Sequence, residues 1–576
     1  MLPFFIQFRA LNTTPAIVTQ AGAARLPRWA LLVLCVVYIA AGFLGRNAWK
    51  VEDMGSVGYM AELAWGTADW WHPTLIGTPS AQGALLPYWL GAWMLHFLPD
   101  GVLAHWFMRL PFAFMLALAM AAHWYGTYYL ARSPQAQPVA FAFGGQASPV
   151  DYARSIADGG LLAFIACLGL APMAHETTPE LVQLGFTSLF YAGVSALPFR
   201  PIRANAAIAV GILGLSLSGA PTLSLVLGLG VAAFEIYQFV RATGTQAQRR
   251  SSAIGIGVLL ISSGSCAALA SVLDLWRWKL HGPLHLASSL QGYSELLLWF
   301  TWPAWPLALW TMWVWRRQMW RLSISRHLAL PLWLLVVVLI ATWCLDASDR
   351  VLLLGLPAVA SLAAFALPTL KRQVASLVDW FTLLFFTGWG IVLWVHFIAM
   401  HGGIPANPAA NIARLAPGFQ AEVSWFAVLI AALATVAWAQ VVRWRVGRHR
   451  RELWRSLVLP ALGIAWCWTL MMTVGISLFD YTQSYDRWAA SVASQISDSN
   501  CIRTEKLDIG QLAALRWIAK LPVQEASKAS SCPWMIIAPG PGLSLPASSD
   551  LEEWTPKTLV NHPTDRSIAV WVMQRR

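Results

Sequence analysis

Glu52 and Asp53 stand side by side about seven residues after the first long apolar run, with Arg46 and Lys50 just before them. A hydroxyl is a poor nucleophile at its own pKa, and a carboxylate held beside it assists its attack, so this pair is a candidate general base. Asp53 is the leading member and Glu52 the second. Farther along, His175-Glu176 with Pro179-Glu180 offers an imidazole and two carboxylates in one short turn. Such a group could orient a second substrate or share a divalent cation with Asp53. One histidine and dispersed acids fall short of a dedicated metal site, and no CxxC or HExxH spacing is present. No metal site is therefore assigned, and no other cofactor is expected.

The elements that must position these residues are membrane spans. Of 576 residues only 11% are charged, against roughly 25% in a soluble protein. Hydrophobic residues make up 57%, and the 34 tryptophans exceed what a soluble core needs. Thirteen hydrophobic segments follow one another, at roughly 29–45, 110–131, 159–173, 178–197, 204–220, 221–240, 252–272, 294–315, 327–345, 351–368, 377–399, 423–442 and 456–477. The net charge of +12 resides among them, because residues 478–576 hold 10 basic and 10 acidic groups. Every second connection is basic, and 22 of the remaining 29 lysines and arginines fall on one side. By the positive-inside rule that side is cytoplasmic, which puts the amino terminus (1–28) inside and the tail outside. The surplus is a topology signal, and nucleic acid is not an expected partner. Loop 46–109 is then the first outer loop, with the short apolar stretch Leu85–Leu98 lying on or dipping into the outer face. The first span lacks a cleavage-site pattern and reads as a retained anchor.

Beyond residue 477 the character changes to balanced charge, two helical-looking runs and short apolar strands separated by Pro/Gly/Ser-rich turns. That alternation predicts a small α/β domain on the outer face. Five of seven cysteines fall inside spans, as small packing residues do. Cys501 and Cys532 fall in the tail, where they are candidates for one disulfide, the alternative being two free thiols. The predicted fold class is thus a polytopic α-helical membrane protein of about 13 spans, with a membrane domain over 29–477 and a C-terminal domain over 478–576.

The order of several short motifs resembles a known family. A first span, Glu52-Asp53, the run Tyr59–Pro73 (YMAELAWGTADWWHP), Pro87–Ala92 (PYWLGA) and Arg109-Leu110-Pro111 opening the second span are similar to the lipid-linked-sugar glycosyltransferases of the GT-C fold. Within that group the chain looks most like the bacterial aminoarabinose transferase and protein O-mannosyltransferase branch. The resemblance extends to His175-Glu176, to Ser348-Asp349-Arg350 followed by VLLLGLP, to Asp480–Ala493 (DYTQSYDRWAASVA) and to the two tail cysteines. It covers nearly the whole chain, and each motif is weakly specific alone. Two departures stand out. Ser80–Pro87 (SAQGALLP) carries no lysine where the aminoarabinose branch has a lysine-proline-proline run, and the spacing from Asp53 to Glu62 is longer than the family's.

The resemblance implies inverting transfer of a sugar from a polyprenyl-phosphate donor to an acceptor outside: lipid A, another envelope glycan or a protein. Asp53 matches the family's acidic position in the first loop. A lipid phosphate leaves, so cations should stabilise its charge, and Arg350, Arg109, Arg277 and Lys279 are the outer basic residues at segment ends. Each could instead reach for lipid headgroups or pair locally. His175 and Glu176 are candidates for acceptor binding, with Trp70 and Trp71 as sugar-stacking surfaces or members of the interfacial tryptophan belt. A bacterial inner membrane and undecaprenyl phosphate are the expected setting. Two other functions are weighed beside it, a polysaccharide polymerase or ligase, and a lipid or sugar transporter. The transporter should show paired repeats and polar groups at mid-membrane. No convincing repeat is found, and Glu235, the acid clearly inside a span, lies near its basic inner end.

Overall fold

In a computed structural model, residues 14–97, 102–241, 245–276, 286–319, 325–345, 348–446, 452–497, 500–524, 531–545 and 553–576 are described. The membrane domain is helical. Its elements are α1 (Arg28–Phe43), α2 (Lys50–Ala64), α3 (Leu86–Phe97), α4 (Leu110–Ala131), α5 (Pro149–Ala166), α6 (Pro179–Ala196), α7 (Pro201–Leu217), α8 (Pro221–Arg241), α9 (Gln246–Val272), α10 (Leu286–Phe300), α11 (Ala304–Val314), α12 (Arg326–Cys344), α13 (Leu356–Ala366), α14 (Arg372–Gly402), α15 (Ala406–Leu415), α16 (Trp425–Val446) and α17 (Val458–Met471).

Among the described residues nine helices are long and apolar enough to cross a membrane, against thirteen expected segments. The other four expected segments are helical but differ for physical reasons. α5 opens with Asp151, Arg154 and Asp158 and stops at Cys167. α6 carries Glu180 in its first turn, and α7 has only 17 residues. The stretch 294–315 is broken into α10 and α11 around Trp302-Pro303. α3 has 12 residues, about 18 Å of helix, which is too short for a hydrocarbon core of about 30 Å.

Helices sort by what surrounds them. On α16, Phe426, Leu429, Leu433 and Val436 form an exposed apolar stripe at helical spacing, a face suited to contact with lipid. α5 and α13 are the reverse and are buried almost throughout. One polar pair in this dry interior is bonded internally, as the lack of water favours: the Thr127 and Ser361 hydroxyls meet at 2.8 Å between α4 and α13.

The tail forms α18 (Ile476–Gln483), α19 (Asp486–Ala493), α20 (Ile509–Trp517) and a five-stranded sheet of order β4-β3-β5-β7-β6. Its strands are β3 (Ile502–Glu505), β4 (Val523–Gln524), β5 (Trp534–Ile537), β6 (Trp554–Asn561) and β7 (Ala569–Arg575), while β1 (Thr74–Leu75) and β2 (Thr78–Pro79) form a small hairpin in the first loop. β3 runs parallel to β4 and β5, with α20 as the crossover, and β7 pairs antiparallel with β5 and β6. Cys501 and Cys532 are joined in a disulfide just ahead of β3 and β5.

The tail grips the first loop. α20 lies against α2 so closely that a Cβ on Gly58 would stand 2.6 Å from that of Ala513. Arg516 Nε bonds Glu62 at 2.9 Å, and Trp65 stacks on Trp517. Asp480 Oδ1 accepts from the Asn47 backbone N–H at 3.2 Å and from Trp49 Nε1 at 2.6 Å, and Asn47 Nδ2 donates to Asp486 at 2.5 Å. Burial and then the neighbouring Asp480 push the Asp486 carboxyl up to about 6.

Two outcomes follow. Gly58→Leu should overpack the α2–α20 contact and cost about 1–3 kcal/mol. The cost would appear as a lower melting temperature in detergent and earlier proteolysis of the tail; an unchanged melt would contradict the contact. Because Asp486 titrates above its unfolded value of about 3.9, its ionised form is disfavoured in the fold, and stability is gained as pH falls through about 6. Thermal melts between pH 7.5 and 5 should therefore show less of this gain in Asp486→Asn than in the unsubstituted protein.

Candidate active site

The ends of α1, α4 and α6 and the start of α2 meet at the face that carries the tail. At the start of α2, Trp49 is extended and Lys50 adopts φ +62°, a conformation few L-residues take. The chain thereby turns so that Glu52 and Asp53 fall in the first helical turn, where the helix dipole favours negative charge.

Asp53 points inward and is fully buried. Its Oδ1 accepts from the Thr177 backbone N–H and from the Thr177 hydroxyl, each at 2.7 Å. Its Oδ2 accepts from Arg46 Nη2 at 3.2 Å and from the Trp49 backbone N–H at 3.1 Å, and Arg109 Nη2 stands 3.5 Å away. Burial alone would raise this carboxyl; Arg109, Arg46 and the Thr177 bonds outweigh it and hold Asp53 below the usual aspartate range. Arg46 and Arg109 are themselves only 1% exposed. Arg46 also lies over the Trp49 ring and reaches the His175 carbonyl.

Glu52 points outward and its side chain is 52% exposed. It pairs with Arg350 Nη2 at 3.2 Å, while Arg350 Nη1 bonds Glu176 at 2.5 Å. Glu176 is buried and its second oxygen meets Lys50 Nζ at 3.3 Å, with Lys50 38% exposed. Burial pushes the Glu176 carboxyl up, against the pull of Arg350 and Lys50. Two layers result. The inner one is Asp53 with Arg46, Arg109 and Thr177, and the outer one is Glu52, Glu176, Lys50 and Arg350.

The other sequence-derived candidates lie elsewhere or play different parts. His175 is buried against Tyr38, Phe43 and Trp468, its ring nitrogens 2.7 Å and 3.0 Å from the carbonyls of Ala171 and Tyr38. Burial pushes its pKa down to about 4. Trp70 and Trp71 pack on Trp93 and Trp89 of α3, with Trp71 half-exposed. Arg277 and Lys279 lie outside the described residues. Sequence reasoning left Thr177, Arg46 and Asp480 without a role. Asp480 sat inside a quoted motif, Arg46 stood seven residues before Asp53, and Thr177 carried no signal of its own.

Among the described residues no three histidine, cysteine, aspartate or glutamate side chains group as a metal site. A divalent ion shared by Asp53 and the 175–180 turn does not fit, since each Asp53 oxygen already accepts two hydrogen bonds.

No family model matches the chain, and no curated protein is similar to it in sequence. Solved structures share its fold. ArnT from Cupriavidus metallidurans in the apo state superposes with a TM-score of 0.59 at 14% identity, covering 95% of this chain and 98% of that one. The same protein bound to undecaprenyl phosphate gives 0.57 at 14% identity, with the same coverage. The GT-C fold implied by the motif order is therefore the fold of this multi-pass membrane protein.

The inner and outer layers should respond differently to substitution. Asp53→Asn leaves two buried arginines uncompensated and should cost about 3–5 kcal/mol, seen as loss of monodisperse protein in detergent, whereas Glu52→Gln should melt as the unsubstituted protein does. Because Asp53 titrates below its unfolded value, its contribution is complete at neutral pH and is lost only as pH falls through that lowered value.

Proposed function

We propose that the chain is a glycosyltransferase that moves a sugar from a polyprenyl-phosphate donor to a hydroxyl acceptor at the outer face of a bacterial inner membrane. The observation that carries the reading is the outer layer, where two cations, Lys50 and Arg350, and the half-exposed Glu52 share one mouth beside the membrane. The shared fold with a structure solved bound to undecaprenyl phosphate adds weight to a lipid phosphate as the ligand. The bias of basic residues to alternate connections supports the outward facing of this mouth.

In this reading the acceptor hydroxyl attacks the anomeric carbon from the face opposite the phosphate and gives its proton to Glu52. The bond from the anomeric carbon to the phosphate oxygen breaks, its electron pair stays on the phosphate, and configuration inverts. Arg350 and Lys50 meet the charge that develops on the leaving phosphate, where such electrostatic help is worth about 3 kcal/mol per well-placed donor. Asp53 was the leading base on sequence grounds. Its lone pairs are all engaged, so the role passes to Glu52, and Asp53 keeps Arg46, Arg109 and the start of α2 in place. Arg109, buried beside Asp53, belongs with this support rather than with the phosphate.

Transport has less support. Glu235, in α8, is paired with Arg326 at 2.5 Å, and Asp379, in α14, with Arg445. Both acids are thereby neutralised.

Mass spectrometry of lipid-linked sugars and envelope glycans from a wild-type strain, a deletion strain and a Glu52→Gln strain tests the reading. One glycoform should vanish from the deletion strain, and from Glu52→Gln at equal expression, while its polyprenyl-phosphate sugar accumulates. Loss of a positioned base costs about 10²–10⁴ in rate. Unchanged glycans in both strains would overturn the transferase.

A further inference from the structure

Beside the outer layer lies a cavity of about 640 Å³, walled by Ser80, Gln82, Glu180, Gln183, Trp276 and Ser348 among others. Ser348 and Val351, which line it, flank Arg350, and Glu180 is within electrostatic reach of that guanidinium. The cavity therefore opens next to the proposed phosphate position. Its wall is built. Gly219, at φ +88°, lets the backbone at Gln82 come so close that a Cβ there would stand 2.9 Å from the Gln82 carbonyl oxygen, and the Leu85 N–H bonds the Leu217 carbonyl.

The lining groups are of one kind. Glu180 is 4% exposed; its Oε1 accepts from Gln82 Nε2 at 2.6 Å, and its Oε2 is buried with no hydrogen-bond partner among the described residues. Gln82 has spent an amide proton on Glu180, which leaves its Oε1 buried and likewise unbonded. A buried acceptor left open costs free energy, and two of them at one cavity call for a donor-bearing ligand. Among the described residues the lining holds no lysine or arginine, and its buried acceptors disfavour a phosphate or a carboxylate. At the rim Trp276 is 41% exposed and offers an aromatic surface of the kind that packs against the C–H face of a sugar ring.

We infer that this cavity receives the sugar of the donor, and that Glu180 with Gln82 selects a ring bearing hydroxyl or ammonium donors and excludes one bearing a carboxylate. The inference rests on the proposed transferase reading and goes beyond it by assigning a specificity-determining residue, Glu180, and a sugar class. The phosphate lies at Arg350 and Lys50, the anomeric carbon between the cavity and Glu52, and the ring hydroxyls donate to Glu180 Oε2 and Gln82 Oε1.

The test uses purified full-length protein in nanodiscs and three lipids: undecaprenyl phosphate, the same lipid carrying a neutral hexose, and the same lipid carrying a hexuronic acid. Binding is read for the unsubstituted protein, Glu180→Gln and Trp276→Ala, the last a rim change that leaves the buried wall intact. The unsubstituted protein should bind the neutral-hexose lipid at least tenfold more tightly than the hexuronic-acid lipid. Glu180→Gln should collapse that ratio towards one with bare undecaprenyl phosphate held as before, and Trp276→Ala should weaken both sugar lipids while sparing the bare one. Equal affinity for the two sugar lipids in the unsubstituted protein, or a ratio that survives Glu180→Gln, overturns the inference while leaving the transferase reading standing. If none of the three lipids binds, the transferase reading falls and takes the inference with it.

Discussion

The whole active face depends on one buried carboxylate. Asp53 has no solvent, so it must be matched from within the protein, and its four partners come from three separate parts of the chain. Arg46 ends the segment after α1, Trp49 begins α2, Arg109 opens α4 and Thr177 lies in the turn before α6. Removing one partner of such a cluster strands a charge in a dry place, a cost of several kcal/mol. The same cost makes the cluster specify one arrangement of three chain segments. Once Asp53 is fixed inward, the next residue back along the same helical turn, Glu52, is fixed outward.

From that constraint the outer layer follows. Glu52, Glu176, Lys50 and Arg350 alternate in sign around one mouth, with Lys50 held there by a left-handed backbone conformation. Two carboxylates and two cations balance when the mouth is empty. In the proposed transferase reading, an entering phosphate takes over the cations and releases Glu52 from Arg350, so that binding the donor frees the proposed base. The tail contributes by gripping both ends of α2, through Asp480 at Trp49 and Arg516 at Glu62, contacts that span 431 and 454 residues of sequence and tie the tail domain to the orientation of two neighbouring carboxylates.

Much of this was legible in the sequence. Composition and the alternation of basic connections pointed to a polytopic helical protein, and the order of motifs pointed to its fold. The Glu52-Asp53 pair, Glu176 and Arg350, read as three separate motifs, are brought together in space. What could not be read was which of two adjacent acids faces in. That depends on helical phase and on Thr177, a residue with no pattern around it. His175 read as functional because histidine beside glutamate is suggestive, yet its ring fills a gap between aromatic side chains. What hydrophobicity alone did not show is that the segment 294–315 is broken around Trp302-Pro303.

A cryo-electron-microscopy structure of the protein in nanodiscs with undecaprenyl phosphate tests the central claim most directly, because it locates the lipid phosphate relative to both layers. The phosphate is expected within ion-pair distance, about 4 Å, of Arg350 and Lys50, with Glu52 released from Arg350 and Asp53 still bonded to Arg46 and Thr177. A phosphate bound at Arg46 and Arg109 with Asp53 displaced, or one remote from Arg350, would contradict the division into a supporting inner layer and a reacting outer one.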